Sequence, residues 1–213
     1  MPTSLAKVIG WQGKYRNHKT NNMGKISMIL WLPLSWLLWI MYFICKDQKK
    51  LLMDLDRFRK VHYGLEGDSL GFWKVYQEFI GFAEFRSVFW FRCGRYSKLV
   101  SWLFPKPELQ LSFDCRSENV GGGIFIQHGY CTDISVRSIG ENCWINQRVT
   151  FGYQGAYCPI VGNNVKVGVG ALIIGDVTIG DNVNIGAGAV VVKDVPSNTT
   201  VVGQPARYIS RNR

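Results

Sequence analysis

Histidine is scarce in this sequence: His18, His62 and His128 are the only three among 213 residues, and His128 alone lies in the second half. A metal centre needing three histidines in one region is thereby excluded, and no metal is expected. Nor do any of the six cysteines (Cys45, Cys93, Cys115, Cys131, Cys143, Cys158) stand in C-x-x-C spacing. Neither a zinc site nor a disulfide framework is indicated, and free thiols fit a reducing, cytoplasmic setting. Charge is missing altogether from Ile26 to Cys45, ISMILWLPLSWLLWIMYFIC, which holds three tryptophans. The run is too long for a cleavable signal, and no A-x-A-like site follows it.

The charge that is present is unevenly shared. Residues 1–113 hold 17 Lys+Arg against 8 Asp+Glu, whereas residues 114–213 hold 8 against 7; seven of the eight tryptophans are also in the first part. A basic, aromatic-rich region can face nucleic acid or an anionic membrane. Beside an uncharged run of twenty residues the membrane is the expectation, through residues 26–104, and no nucleic-acid partner is expected. At ~1.5 Å per residue the run could cross a bilayer core of ~30 Å. Basic residues flank it on both sides (Lys19 and Lys25 before, Lys46, Lys49 and Lys50 after), so neither end is marked for export, and Pro33 would interrupt a helix. A span, a re-entrant or in-plane anchor and a buried soluble helix all remain open.

Residues 72–104 interleave aromatic rings with Arg86, Arg92, Arg95 and Lys98. Helical spacing gathers Phe82, Phe85 and Phe89 on one side. Such a helix suits a lipid surface, its basic residues reaching headgroups, or the packing of its own domain. Pro105 and Pro107 then punctuate the chain. The expected organisation is a basic tail over 1–25, an apolar anchor or buried helix over 26–45, an aromatic and basic helical region over 46–107, and a repeat domain over 108–213.

From Ile139 onward, aliphatic residues recur every six positions, at Ile139, Ile145, Val161, Val167, Ile173, Ile179, Ile185 and Val191. A second small or aliphatic residue stands four places after a repeat start, from Cys143 and Val149 to Val183 and Ala189. Two inward positions in six match neither the helical period nor simple strand alternation. They predict a parallel β-helix whose prism sides each take one hexapeptide, with glycines such as Gly140, Gly162, Gly168, Gly180 and Gly186 expected to tolerate the corner conformation. The register breaks once, between Phe151 and Val161, where YQGAYCP intervenes. A loop leaving a strict coil is a natural place for function, and it follows His128 by about 25 residues.

The ordered segments IFIQHG, IGENCWINQRVTFG, VKVGVGALIIGDVTIGDNVNIGAGAVVVKDVP and VVGQPAR resemble the serine acetyltransferase branch of the hexapeptide acyltransferases, over roughly residues 114–210. EFRSVFWFR is similar, more weakly, to the helix preceding the β-helix in related proteins of capsule and exopolysaccharide loci. The resemblance implies a mainly β fold, a trimer of left-handed β-helices, and acetyl-CoA in a groove between neighbouring subunits. It makes His128 the general base, which removes the proton of an acceptor hydroxyl too weakly acidic to lose it unaided. It offers Asp114 as the orienting carboxylate, one place out of register, and a backbone N–H near Gly152–Tyr153 for the oxyanion. Gly168, Val169, Ala187 and Lys193 match positions that line the pantetheine arm and nucleotide, and Arg207 matches a cation near the CoA phosphates. A γ-class carbonic anhydrase would share the fold but fails on histidine count.

The departures bear on the acceptor. Serine acetyltransferases place an aspartate directly before the catalytic histidine and an Arg-His-Pro triplet in the loop, where this chain has Gln127 and Tyr157-Cys158-Pro159. A site missing an anion and a cation should lose most of its recognition of a zwitterion. The expected reaction is therefore O-acetylation of a sugar hydroxyl on a polysaccharide or lipid-linked glycan precursor at the inner face of the cell membrane. Serine acetylation with a rearranged pocket, in which Arg137 or Arg148 holds the carboxylate, and a non-catalytic trimeric scaffold are the alternatives.

Overall fold

The computed structural model describes residues 28–64, 71–94, 97–104, 109–204 and 207–209, with only the backbone of Lys98 and of 207–209. Two regions share one continuous core: a helical cap, and a stack of parallel coils on which it sits.

The cap begins with a 3-10 turn at Leu32–Leu34 that carries Pro33 in its first turn, where no intrahelical N–H is needed. Helix α1 (Ser35–Ile44) follows and buries Leu38, Met41 and Tyr42. Helix α2 (Gln48–Tyr63) buries Leu51, Asp54, Leu55 and Phe58, the spacing of a single helical stripe. It stops at Gly64, whose φ of 69° suits glycine and lets its N–H donate to the Lys60 carbonyl at 3.0 Å.

The helical region from residue 72 is divided. Helices α3 (Phe72–Gly81) and α4 (Ala83–Cys93) meet at Phe82, whose extended φ of −131° and ψ of 121° end one and start the other. A short helix α5 (Ser97–Val100) and a 3-10 turn at Ser101–Leu103 complete the cap. Of the two readings of this stretch, lipid surface or packing on its own domain, Phe85, Phe89, Arg86 and Arg92 follow the second. Phe85 and Phe89 lie in the core, and Arg86 and Arg92 are buried with them. Edge-to-face contacts tie Phe79 to Phe89 at 5.1 Å and Phe58 to Phe85 at 5.3 Å. Aromatic quadrupoles favour that geometry. Arg95 and the side chain of Lys98 lie outside what is described.

The coils form the expected parallel β-helix. One face carries β1 (Leu111–Phe113), β3 (Thr132–Ile134), β6 (Thr150–Gly152), β9 (Leu172–Ile174) and β12 (Val190–Val191). The next carries β4 (Ser138–Ile139), β7 (Ile160–Val161) and β10 (Thr178–Ile179), prolonged by bridges from Val120 to Ile139 and from Ile179 to Val195. The third carries β2 (Phe125–Gln127), β5 (Trp144–Asn146), β8 (Lys166–Val167), β11 (Asn184–Ile185) and β13 (Thr200–Val202), closed by antiparallel β14 (Arg207–Ile209). Every repeat start from Ile139 to Val191 points into the prism, as do the second small residues. Two coils begin before the hexad is legible, with Val120, Ile126 and Ile134 filling the same interior.

The repeat glycines have a different reason from the expected one. A Cβ on Gly168 would lie 2.5 Å from the Ala187 nitrogen, and one on Gly140 would lie 2.6 Å from the Gly162 carbonyl carbon. Close approach of the next coil excludes a side chain there. The left-handed conformation falls two residues later, on Asn142, Asn164 and Asn182 and, after Gly168 and Gly186, on Gly170 and Gly188; Asn198 repeats it, the asparagines having φ of 56–61°. Asparagine tolerates that region and bonds locally. The Asn164 amide donates to Asn182 at 3.1 Å, and the Asn182 amide to Asn198 at 2.9 Å.

One ion pair bolts the two regions together. Arg92 Nε donates to Asp54 Oδ2 at 2.8 Å, while its other nitrogens donate to the carbonyls of Val120 (2.8 Å) and Gly121 (2.6 Å) in the first coil. Asp54 in turn accepts the Ile124 N–H at 2.8 Å. Burial pushes the Asp54 carboxyl above the ordinary carboxylate range, with the Arg92 charge opposing it. Beside the pair, Phe58 of α2 packs on Phe125 of β2 at 4.7 Å. The helices are thus a packed lid on the coil stack.

Candidate active site

Each prism edge is a column of turns, and chemistry collects on two of them. The edge leading from the third face to the first begins at Gln127 and His128, between β2 and β3. Gln127 is half-buried, its amide oxygen accepting the Trp144 indole N–H at 3.0 Å. His128 follows with φ of 63°, a conformation uncommon outside glycine, and presents its ring to solvent. Functional sites often hold such strained positions. No hydrogen-bond partner of the His128 ring is found among the described residues.

The coils below stack on this turn in order. The Arg148 N–H donates to the Tyr130 carbonyl at 2.8 Å, Gly170 to Gln147 at 3.1 Å, and Gly188 to Val169 at 2.8 Å. His128, Arg148, Val169 and Ala187 therefore share one edge. Gly168 spends its own N–H on Ile185 at 2.8 Å, but those of Val169 and Ala187 bond no other described residue. Two unpaired N–H groups thus lie along the column beneath His128. Arg148, also left-handed at φ of 59°, is exposed and unpaired among the described residues, whereas Arg137 engages Asp176 at 3.4 Å.

The edge from the first face to the second holds the remaining residues. Asp114 closes β1 and accepts the Tyr153 hydroxyl at 2.9 Å, so it is not joined to His128 within one chain. The bond raises the Tyr153 pKa and is not legible in the sequence, which points only to the backbone of Tyr153. A tyrosine at the register break was the available signal. The excursion itself is a small hairpin, in which the Gln154 N–H donates to Tyr157 at 2.9 Å and the Tyr157 N–H returns at 3.2 Å. Tyr157 is exposed and Cys158 half-buried. Cys115 lies close by; burial pushes its thiol up to about 11, with Asp114 and Cys158 contributing. Lys193 stands exposed on the same edge, four strands down the first face. The Arg207 backbone pairs with Val202, and its side chain lies outside what is described.

A single chain therefore divides the expected site. His128, Gly168, Val169 and Ala187 line one edge, while Asp114, Tyr157, Cys158 and Lys193 line another, with the first face between them. No group of His, Cys, Asp and Glu among the described residues could hold a metal ion. A nucleophilic hydroxyl set against His128, with its acyl donor laid along the free N–H groups, would have the parts that acyl transfer needs.

Comparison with known proteins agrees with this geometry. Residues 158–193 match the family described as bacterial transferase hexapeptide (six repeats). The chain is 49% identical over 98 residues to the serine acetyltransferase of Synechococcus elongatus, covering 44% of this chain and 40% of that protein. It is 42% identical over 92 residues to a protein of Escherichia coli K12 that carries the name colanic acid biosynthesis acetyltransferase WcaB, covering 41% and 57%. The matches thus span about half the length of these relatives. The serine acetyltransferase of Neisseria gonorrhoeae, solved in complex with serine, shares the fold with a TM-score of 0.57 at 25% identity, over 76% of this chain and 68% of that one. Residues 158–193 are thus similar to the bacterial transferase hexapeptide repeats, and the chain's likeness in sequence and fold runs to serine acetyltransferases.

Proposed function

We propose that the chain is an O-acetyltransferase that takes its acyl group from acetyl-CoA. The observation that carries the reading is the column of His128 above the unpaired N–H groups of Val169 and Ala187 on one edge. The imidazole removes the proton of the acceptor hydroxyl as its oxygen attacks the thioester carbonyl. The tetrahedral intermediate then collapses, the carbon–sulfur bond breaks, and the imidazolium returns the proton to the departing thiolate. The pantetheine arm offers amide carbonyls to the free N–H groups, and Lys193 and Arg207 suit the phosphates. A trimer would set the second edge of one subunit, with Asp114, Tyr157, Cys158 and Lys193, against His128 of the next.

The acceptor we favour is a sugar hydroxyl on a polysaccharide or lipid-linked precursor, reached at the cytoplasmic face of the membrane. Gln127 in place of an aspartate, and Tyr157-Cys158 in place of a charged pair, support a neutral polar acceptor. A second reading, acetylation of serine, gains support from Arg148, exposed and unpaired on the edge of His128, as a partner for a carboxylate. Thiol release from acetyl-CoA by the purified protein, with L-serine and with nucleotide- and lipid-linked sugars, separates the two. Turnover on a sugar and not on serine is expected; turnover on serine alone would overturn the choice of acceptor, and none with any hydroxyl would leave a scaffold.

A further inference from the structure

Helix α1 is apolar on both sides. One side packs Leu38 (1% exposed), Met41 (3%) and Tyr42 (8%) into the core, while the other leaves Trp36 at 57%, Trp39 at 49% and Phe43 at 57%. Ile29 and Leu30, just before it, are each 70% exposed, and Trp73 at the start of α3 is 64% exposed. Trp36, Trp39, Phe72 and Trp73 line an open hollow of about 300 Å³ between the two helices. Contiguous bare apolar surface of this kind marks a partner.

The geometry also says how that partner is met. Among the described residues no single helix is long and apolar enough to cross a membrane, and Met28–Ile44 meets Gln48–Tyr63 at a bend of 119°. At ~1.5 Å per residue, Met28–Ile44 reaches about 25 Å, short of a ~30 Å core. Drawing it across a bilayer would also strip Leu38, Met41, Tyr42 and Cys45 from their packing.

Charge chooses between lipid and a second copy. Lys46 and Lys49 are exposed directly after α1, and residues 28–104 carry 11 Lys+Arg against 7 Asp+Glu. Two such caps brought face to face would repel, whereas anionic headgroups attract them. Tryptophan rings settle at headgroup level, where an apolar body and a polar N–H are both accommodated. We propose that the outer face of α1, with Trp73, is a seat on an anionic lipid surface, lying in the plane of the interface and not spanning it. Helices α2 and α4 pack on β2, the strand that ends beside His128, so the seat and the candidate base belong to the same end of the molecule. The inference deepens the proposed function, for which it supplies access to a lipid-linked acceptor, but the contact is argued from the surface alone.

The test is sedimentation of the full chain with vesicles of phosphatidylcholine, alone or mixed with phosphatidylglycerol. Wild type should partition onto the mixed vesicles and weaken with salt. The combined variant Trp36→Ser, Trp39→Ser, Phe43→Ser, which removes only exposed rings, should lose on the order of a hundredfold in partitioning with its melting temperature unchanged. Lys46→Glu with Lys49→Glu should lose roughly tenfold on the mixed vesicles. Wild type remaining in the supernatant, or the ring variant binding as well as wild type, would overturn the seat. So would self-association that is lost in the ring variant while wild type ignores vesicles, since the occupant would then be a second copy. Thiol release with a soluble acceptor, measured alongside, should be unchanged in both variants; its absence in wild type would remove the proposed function and leave the seat standing.

Discussion

The coil stack and the helical cap solve the burial problem in opposite ways. The stack hides small aliphatic side chains in a prism and leaves its edges polar, with the same few contacts renewed at each turn. The cap hides large rings, Phe58, Phe79, Phe85 and Phe89, together with the charges of Asp54, Arg86, Arg92 and Glu78, and leaves tryptophans outside. Repetition gives the stack straight edges on which backbone N–H groups can be aligned. Irregularity gives the cap a surface able to meet something unlike the rest of the molecule. Catalysis is read from the first property and lipid contact from the second.

The junction offers the largest way to break that division. Arg92→Ala would leave Asp54 buried without its cation and two carbonyls of the first coil unmet, at a cost of about 3–5 kcal/mol. Because the regions share a core, cap and stack should lose stability in one transition, followed by circular dichroism at helical and strand wavelengths. A cap that melted alone would show it to be a mere appendage. Inside the stack, Phe151→Ala removes the largest ring of the prism interior, and about 3–5 kcal/mol should be lost in chemical denaturation. Gly168→Ala sets a methyl against the Ala187 backbone, for about 1–3 kcal/mol, and should also weaken acetyl-CoA binding measured by calorimetry. Smaller still is Asn182→Ala, which gives up two ladder bonds and a tolerated left-handed residue, for about 1–2 kcal/mol of thermal stability. The smallest effect is chemical: at pH 8 iodoacetamide should label the exposed Cys131 well before Cys115 and Cys143, whose thiols burial pushes up to about 11. Equal labelling rates, followed by peptide mass spectrometry, would contradict that burial.

The two regions also differed in how much of them the sequence disclosed. From Ile139 on, each inward position could be named in advance, because a contact that recurs every six residues writes itself into the chain repeatedly. The coils before Ile139 carry the same interior without the hexad and were legible only through the resemblance. In the cap, helical spacing identified Phe85 and Phe89 as sharing a face but could not tell core from lipid. That choice depends on Asp54, 38 residues before its partner Arg92, and such a pairing leaves no local mark. The break at Phe82 did carry a local signal, Gly81 at the end of α3, but a single glycine within a helical pattern does not by itself say that the helix stops. On the site, His128, Gly168, Val169 and Ala187 were marked only by the resemblance, and the repeat explains why they fall on one edge. The Asp114–Tyr153 bond was not legible, since it joins two coils across the one place where the register fails.

His128 is the residue on which the functional reading turns. Single-turnover thiol release from acetyl-CoA by wild type and His128→Ala, with CoA affinity measured on both, tests it most directly. Loss of a positioned general base predicts a fall of about 10²–10⁴-fold in rate with CoA binding unchanged. A variant that releases thiol within threefold of wild type would make His128 a bystander on an edge that does no chemistry.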